Sequence, residues 1–276
     1  MVPAHTVIGG GGVRLHVEEV GNPQRPPVLF IHGFSQSLLS WSRQLESQPL
    51  SGQLRLFAMD IRGHGRSDKP LDPNAYDDSA QWAADVNNVI TGLGLNQPVL
   101  CGWSYGGAII CDYLRAHGDD QIGGINLVGA LSKLGSAEAF ALLSNDFLAL
   151  VPGFKSADVT ESVGALQALL KLVTREELLL KDLFFFLGFN TIVPPPVRAA
   201  LLNRVFDNDD VLSQISKPVL ITHGQQDAIV LLAAAQQHAA LIPHARTSFY
   251  ANVGHAPFLE DTQRFNQELR QFVQSI

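Results

Sequence analysis

Cysteine is scarce: the 276 residues contain two, Cys101 and Cys111, with no Cys-x-x-Cys and no Cys/His cluster around them. That spacing fits neither a disulfide framework nor a structural zinc site, and both read as reduced packing residues. Charge is thin as well, at 16% Asp, Glu, Lys and Arg with a formal net charge of -7 and no basic stripe. A phosphate-tracking surface is therefore missing, and nucleic acid is not an expected partner. No apolar run reaches the roughly 18 residues of a membrane span, and Met1 to Val17 lacks a basic region followed by an apolar one. Neither a membrane span nor an export signal is expected, which points to a cytoplasmic protein. Repeats and low-complexity linkers are absent too. What remains is a chain with 46% hydrophobic residues, enough for one sizeable core.

The hydrophobic residues fall into a rhythm. Val13 to Val20 alternates like a half-exposed strand, whereas Val28 to Ile31 is a continuous apolar run of the kind buried on both faces of a sheet. Similar runs recur at Leu54 to Met59, Val99 to Cys101, Ile122 to Val128 and Val219 to Ile221, each ending at a loop-forming Gly, Asp or His. Between them, Trp82, Val86, Val89 and Leu93 share a helical face, with Asp78 or Ser79 suited to cap it and Gly94 to stop it. Leu231 to Leu241 and Phe265 to Ile276 repeat the helical pattern. Alternation of this sort predicts an α/β fold, a mostly parallel central sheet with helices on both faces. Ligands then bind at the carboxyl ends of the strands.

From about residue 131 to 213 the rhythm breaks into leucine-rich helical patterns, including Phe184-Phe185-Phe186-Leu187 ahead of Pro194-Pro195-Pro196. This stretch reads as a helical insertion between two parts of one core, 1–130 and 214–276. Its apolar residues exceed what single helix faces need, so they cover either the sheet or a pocket.

Gly102-Trp103-Ser104-Tyr105-Gly106 matches G-x-S-x-G and stands between a buried strand and a helical pattern, the context that motif requires. A serine on a sharp strand-to-helix turn projects above the sheet, and the Tyr105 N–H at the helix start faces any oxyanion forming beside it. Serine needs a base held in the right tautomer by a third group. Of nine histidines, His255 lies in a short loop between the strand-like Thr247 to Tyr250 and the last helix. His32 and His64, beside glycines, are the alternatives and read as loop anchors. Asp227 follows the strand at Val219 and lies between Ser104 and His255 in sequence, with a helix-capping role as its bland alternative. Asp60 and Asp207 are rivals, the first in a turn and the second in the insertion. The loop after Val28 to Ile31 places the Phe34 N–H as a second oxyanion donor.

In their order along the chain, His32-Gly33-Phe34, Asp60 to Ser67, Gly102 to Gly107, Gly224 to Asp227 and Gly254-His255 resemble the α/β-hydrolase superfamily. The likeness implies an α/β-hydrolase fold with a helical cap formed by 131–213, and a structural role for Asp60 and His64. Ser104 stands where haloalkane dehalogenase-like and epoxide hydrolase-like members carry Asp, which disfavours those chemistries. His-Gly-Phe-Ser lacks the proline frequent in perhydrolase-like members and the glycine-rich turn of many carbon-carbon bond hydrolases. The whole looks most like promiscuous carboxylesterases: Ser104 as nucleophile, His255 as base, Asp227 as orienting acid, a small-molecule ester as substrate, and no metal or cofactor. A lactonase, a carbon-carbon bond hydrolase or a perhydrolase on the same residues, and a small-molecule receptor of this fold, are the other readings.

Overall fold

The computed structural model describes residues 3–276. Among the described residues ten strands form, β1 (Ala4–Ile8), β2 (Arg14–Gly21), β3 (Pro27–Ile31), β4 (Arg55–Met59), β5 (Val99–Trp103), β6 (Gly124–Val128), β7 (Lys133–Leu134), β8 (Phe206–Asp207), β9 (Val219–Gly224) and β10 (Arg246–Tyr250). Eight of them make one sheet in the order β1-β2-β4-β3-β5-β6-β9-β10. Pairing is antiparallel for β1 with β2 and for β2 with β4, and parallel from there on. The continuous apolar runs explain the middle of this sheet: β5, β6 and β9 are buried at every residue, as strands covered on both faces must be. In the large sheet, β1 is the strand that the hydrophobic pattern does not announce, and the two-residue β7 and β8 go unannounced too. β1 lies at the edge, and among its residues only Val7 is buried.

Eight helices among the described residues run for nine residues or more: α1 (Ser79–Gly92), α2 (Tyr105–His117), α3 (Asn145–Lys155), α4 (Val159–Val173), α5 (Leu180–Thr191), α6 (Pro195–Asn203), α7 (Leu232–Leu241) and α8 (Thr262–Gln274). Asp78 caps α1 through the Ala80 N–H, and Trp82, Val86 and Val89 form its buried face. Gly94, just past the end of α1, takes the left-handed conformation that stops a helix, at φ 62°. Among the described residues no single helix is long and apolar enough to cross a membrane.

The chain leaves the sheet after β6 and returns at β9, and α3 to α6 lie in that excursion. Its two ends are joined by the antiparallel pair β7 and β8, Lys133 opposite Asp207 and Leu134 opposite Phe206. One buried cation gathers the four helices. Arg198, on α6, donates Nε to Phe154 O of α3 at 2.9 Å, Nη2 to Ser162 Oγ of α4, and Nη1 to Asn190 O and Val193 O at the end of α5. No carboxylate pairs with it among the described residues; carbonyls at helix C-termini, the negative ends of helix dipoles, take that place. Burial pushes the Arg198 pKa down to about 10.

Candidate active site

β5 ends in a turn so tight that Ser104 adopts φ 55° and ψ -117°, left-handed backbone that is costly for a residue with a Cβ. The strain is held from three directions: Ser104 N–H donates to Val128 O, and Ser104 O accepts from Gly107 N–H and Leu131 N–H, each at 2.9 Å. Glycine at 106 lets the start of α2 press on the neighbouring strand, since a Cβ there would stand 2.4 Å from Ile31 O. The G-x-S-x-G spacing thus has a steric cause, and its product is a serine hydroxyl aimed into open space. Ser104 Oγ forms no side-chain hydrogen bond among the described residues, and Ser104 lines a cavity.

His255 lines the same cavity. Its Nδ1–H donates to Asp227 Oδ2 at 2.7 Å, which leaves Nε2 as the free lone pair. Asp227 comes from the loop after β9, and its other oxygen accepts the N–H groups of Ile229 at 2.8 Å and Val230 at 2.9 Å. It does not cap α7, whose N-cap residue Leu231 makes no side-chain bond. The main chain of His255 is fixed as well, with its C=O accepting from Trp103 Nε1 at 2.9 Å and its N–H donating to Val173 O at 3.0 Å.

Two residues beside this space carry backbone donors without a partner among the described residues. Phe34 and Tyr105 line the cavity, and neither N–H has a hydrogen-bond partner among the described residues. The Phe34 loop is built from the histidines and aspartate that the sequence offers as rivals. His64 Nε2 accepts the Ser35 N–H at 3.1 Å while its Nδ1–H donates to Arg62 O, and His32 Nε2 accepts the Ile61 N–H while its Nδ1–H donates to Gly33 O. Asp60 accepts the Leu38 and Arg66 N–H groups, both at 2.8 Å. Burial lowers the pKa of both histidines, so each stays neutral and can act as an acceptor. Asp207 is an exposed partner of Lys133.

The cavity is narrow, with a volume of about 30 Å³. Ile229 and Val230 line it from the loop after β9, and Leu131, Leu134, Leu143, Phe147, Leu169, Val173 and Leu202 from the excursion. Among the described residues Gln36 is its single polar side chain apart from Ser104, Tyr105, Trp103 and His255, and no Lys, Arg, Asp or Glu lines it. Periodicity had no means of finding these walls, because it marks the buried side of a helix without saying what lies opposite. His223 also goes unannounced: its Nε2 lies 3.3 Å from Asp227 Oδ2 and donates to Val230 O at 2.9 Å, so it buttresses the acid's loop. Burial lowers its pKa, partly offset by the Asp227 charge. Among the described residues no three His, Cys, Asp or Glu are grouped so as to hold a metal ion.

The sheet order and the strand-to-helix serine turn define a known class, and residues 26–262 match the family described as alpha/beta hydrolase fold. The chain belongs to that family. Among solved structures it is similar to the esterase RhEst1 from Rhodococcus sp. ECU1013, with a TM-score of 0.92 and 36% identity over 99% of this chain and 98% of that one. Among curated proteins it is 28% identical to the AB hydrolase superfamily protein YisY of Bacillus subtilis (strain 168), across 95% of this chain and 96% of that one. It is also 27% identical to the non-heme chloroperoxidase CPO-A1 of Kitasatospora aureofaciens, across 95% and 96% of the two chains.

Proposed function

We propose that the protein is a carboxylic ester hydrolase working through an acyl-enzyme on Ser104. The observation that carries this reading is the meeting, at one apolar cavity, of a serine with an unengaged hydroxyl, a histidine held by a carboxylate, and two unused backbone N–H groups. His255 Nε2 takes the Ser104 proton as Oγ attacks the ester carbonyl, and Asp227 keeps Nδ1 protonated and steadies the imidazolium that forms. The oxyanion sits between the N–H groups of Phe34 and Tyr105, and loss of one such donor typically costs about 3 kcal/mol of transition-state stabilisation. His255 then returns the proton to the departing alcohol, and water repeats the cycle to free the acid. In this reading 131–213 acts as a cap whose helices α3, α4 and α6 roof the substrate.

Substrate class follows from the walls. With no cation lining the cavity to grip a carboxylate or a phosphate, uncharged esters with small or medium apolar acyl groups fit it best. Likeness to the Rhodococcus protein named as an esterase supports ester hydrolysis. A second reading, perhydrolysis, has hydrogen peroxide in place of water attack the same acyl-enzyme to give a peracid; the likeness to a protein named as a chloroperoxidase favours keeping it in view. Hydrolysis of p-nitrophenyl esters from acetate to laurate, with and without peroxide, separates the two. Turnover peaking at short or medium chains and yielding free acid supports the esterase; peracid as the main product at millimolar peroxide would displace it. No turnover of any ester would count against both.

A further inference from the structure

Glu260 closes the short helical turn Pro257–Glu260 that follows His255, and it has no cationic partner within ion-pair distance among the described residues. Its two oxygens instead reach two backbone donors far apart in sequence. Oε1 accepts the N–H of Gly254, the residue before His255, and Oε2 accepts the N–H of Arg175, just beyond the end of α4, both at 2.8 Å. A third bond runs alongside, from His255 N–H to Val173 O at 3.0 Å, one of the carbonyls that the last turn of α4 leaves without an intrahelical partner. The two segments touch so closely that a Cβ on Gly254 would stand 2.9 Å from Arg175 N. The same α4 sends Leu169 and Val173 into the cavity wall.

We propose that Glu260 is a positioning residue that clamps the His255 loop to the exit of α4, so that the candidate base and the wall of the cavity facing it keep one fixed relation. The proposal rests on the reading of His255 as general base. A carboxylate is needed because each oxygen must accept; an amide offers one acceptor and turns its NH2 against the other N–H. Asp, one methylene shorter, cannot span both donors. When the clamp slackens, the loop keeps only one of its two hydrogen bonds to the α4 exit, His255 N–H to Val173 O, and His255 Nε2 is free to shift relative to Ser104. Misplacement by about 1 Å can cost on the order of 100-fold in rate.

The test compares wild type with Glu260→Gln by steady-state hydrolysis of p-nitrophenyl butyrate and by amide hydrogen exchange, at matched folded fractions. The clamp predicts a kcat lowered roughly tenfold with KM within about twofold, and faster exchange in 173–177 and 253–256 together, while β5 and the start of α2 keep their protection. Arg175→Pro, which deletes the donor on the α4 side together with the exposed Arg175 side chain, gives the same pattern and serves if Glu260→Gln does not fold. Unchanged kcat, or faster exchange in one of the two segments alone, overturns the clamp. Ser104→Ala is run beside them. Activity retained there defeats the hydrolase reading whatever Glu260 does, whereas an inactive Ser104→Ala with a wild-type Glu260→Gln defeats the clamp alone.

Discussion

His255 Nδ1 and Asp227 Oδ2 lie 2.7 Å apart, and the other oxygen of Asp227 is committed to the N–H groups of Ile229 and Val230. The carboxylate therefore cannot rotate away without giving up two backbone bonds. Asp227→Asn keeps its one acceptor oxygen on those two donors and turns its NH2 toward His255. That enforces the wrong imidazole tautomer, with Nε2 protonated and unable to take the Ser104 proton. The expected result is a kcat lower by roughly 1,000- to 10,000-fold with little change in Tm, measured by ester hydrolysis and thermal unfolding.

Arg198 supplies a prediction about the excursion. Its guanidinium reaches acceptors on α3 and α4 and at the end of α5, a fork that a lysine ammonium cannot reproduce. Arg198→Lys leaves at least one buried carbonyl unsatisfied and is expected to cost about 2–3 kcal/mol. Urea unfolding checks it. Loss of less than about 0.5 kcal/mol would mean that the four helices hold together without the guanidinium fork.

Acid should weaken the fold through its buried histidines. Burial lowers the pKa of His32, His64 and His223, and that of His238, which bonds Ser132 Oγ at 2.8 Å, from 6.5 down to about 3. The folded protein keeps these rings neutral while the unfolded chain protonates them below its own pKa. Their stabilising contribution is therefore complete above about pH 6.5 and lost as pH falls toward the folded values, for His238 by about 1.4 kcal/mol per pH unit. Urea melts at pH 7.5 and 5.0 should show this fall, and His238→Gln should shrink the difference by about 2 kcal/mol. A pH dependence unchanged in the variant would show that His238 is not held neutral.

The cavity makes its own forecast. Leu169 stands on the α4 wall, and Leu169→Trp fills space that longer acyl or alcohol groups need. Relative kcat/KM for hexanoate over acetate should fall by at least about tenfold, since each methylene in a fitted pocket is worth roughly 1–3 kcal/mol. Equal loss for both esters would mean that this wall does not set chain-length preference.

How much of this was legible in the sequence differs by element, for physical reasons. The central strands stand out because a strand covered on both faces must be apolar throughout, as Val28 to Ile31 is; β1 escapes notice because an edge strand with only Val7 buried carries no such pattern. Ser104, Asp227 and His255 share a signature, a strand end followed by a loop, and their order along the chain narrows the choice further. The walls formed by Leu143, Phe147 and Leu202 have no equivalent mark. Glu260 is invisible for a related reason: one of its two partners is a backbone N–H 85 residues away, and any residue but proline supplies one.

The most direct test of the account is labelling with a fluorophosphonate, which traps an activated serine at its oxyanion site. The intact mass should show one adduct, peptide mapping should place it on Ser104, and ester hydrolysis should disappear in step with labelling. A Ser104→Ala variant should take up no label and show no turnover. An adduct on another residue, or a Ser104→Ala protein that still hydrolyses esters at the wild-type rate, would contradict the assignment of Ser104 as the nucleophile.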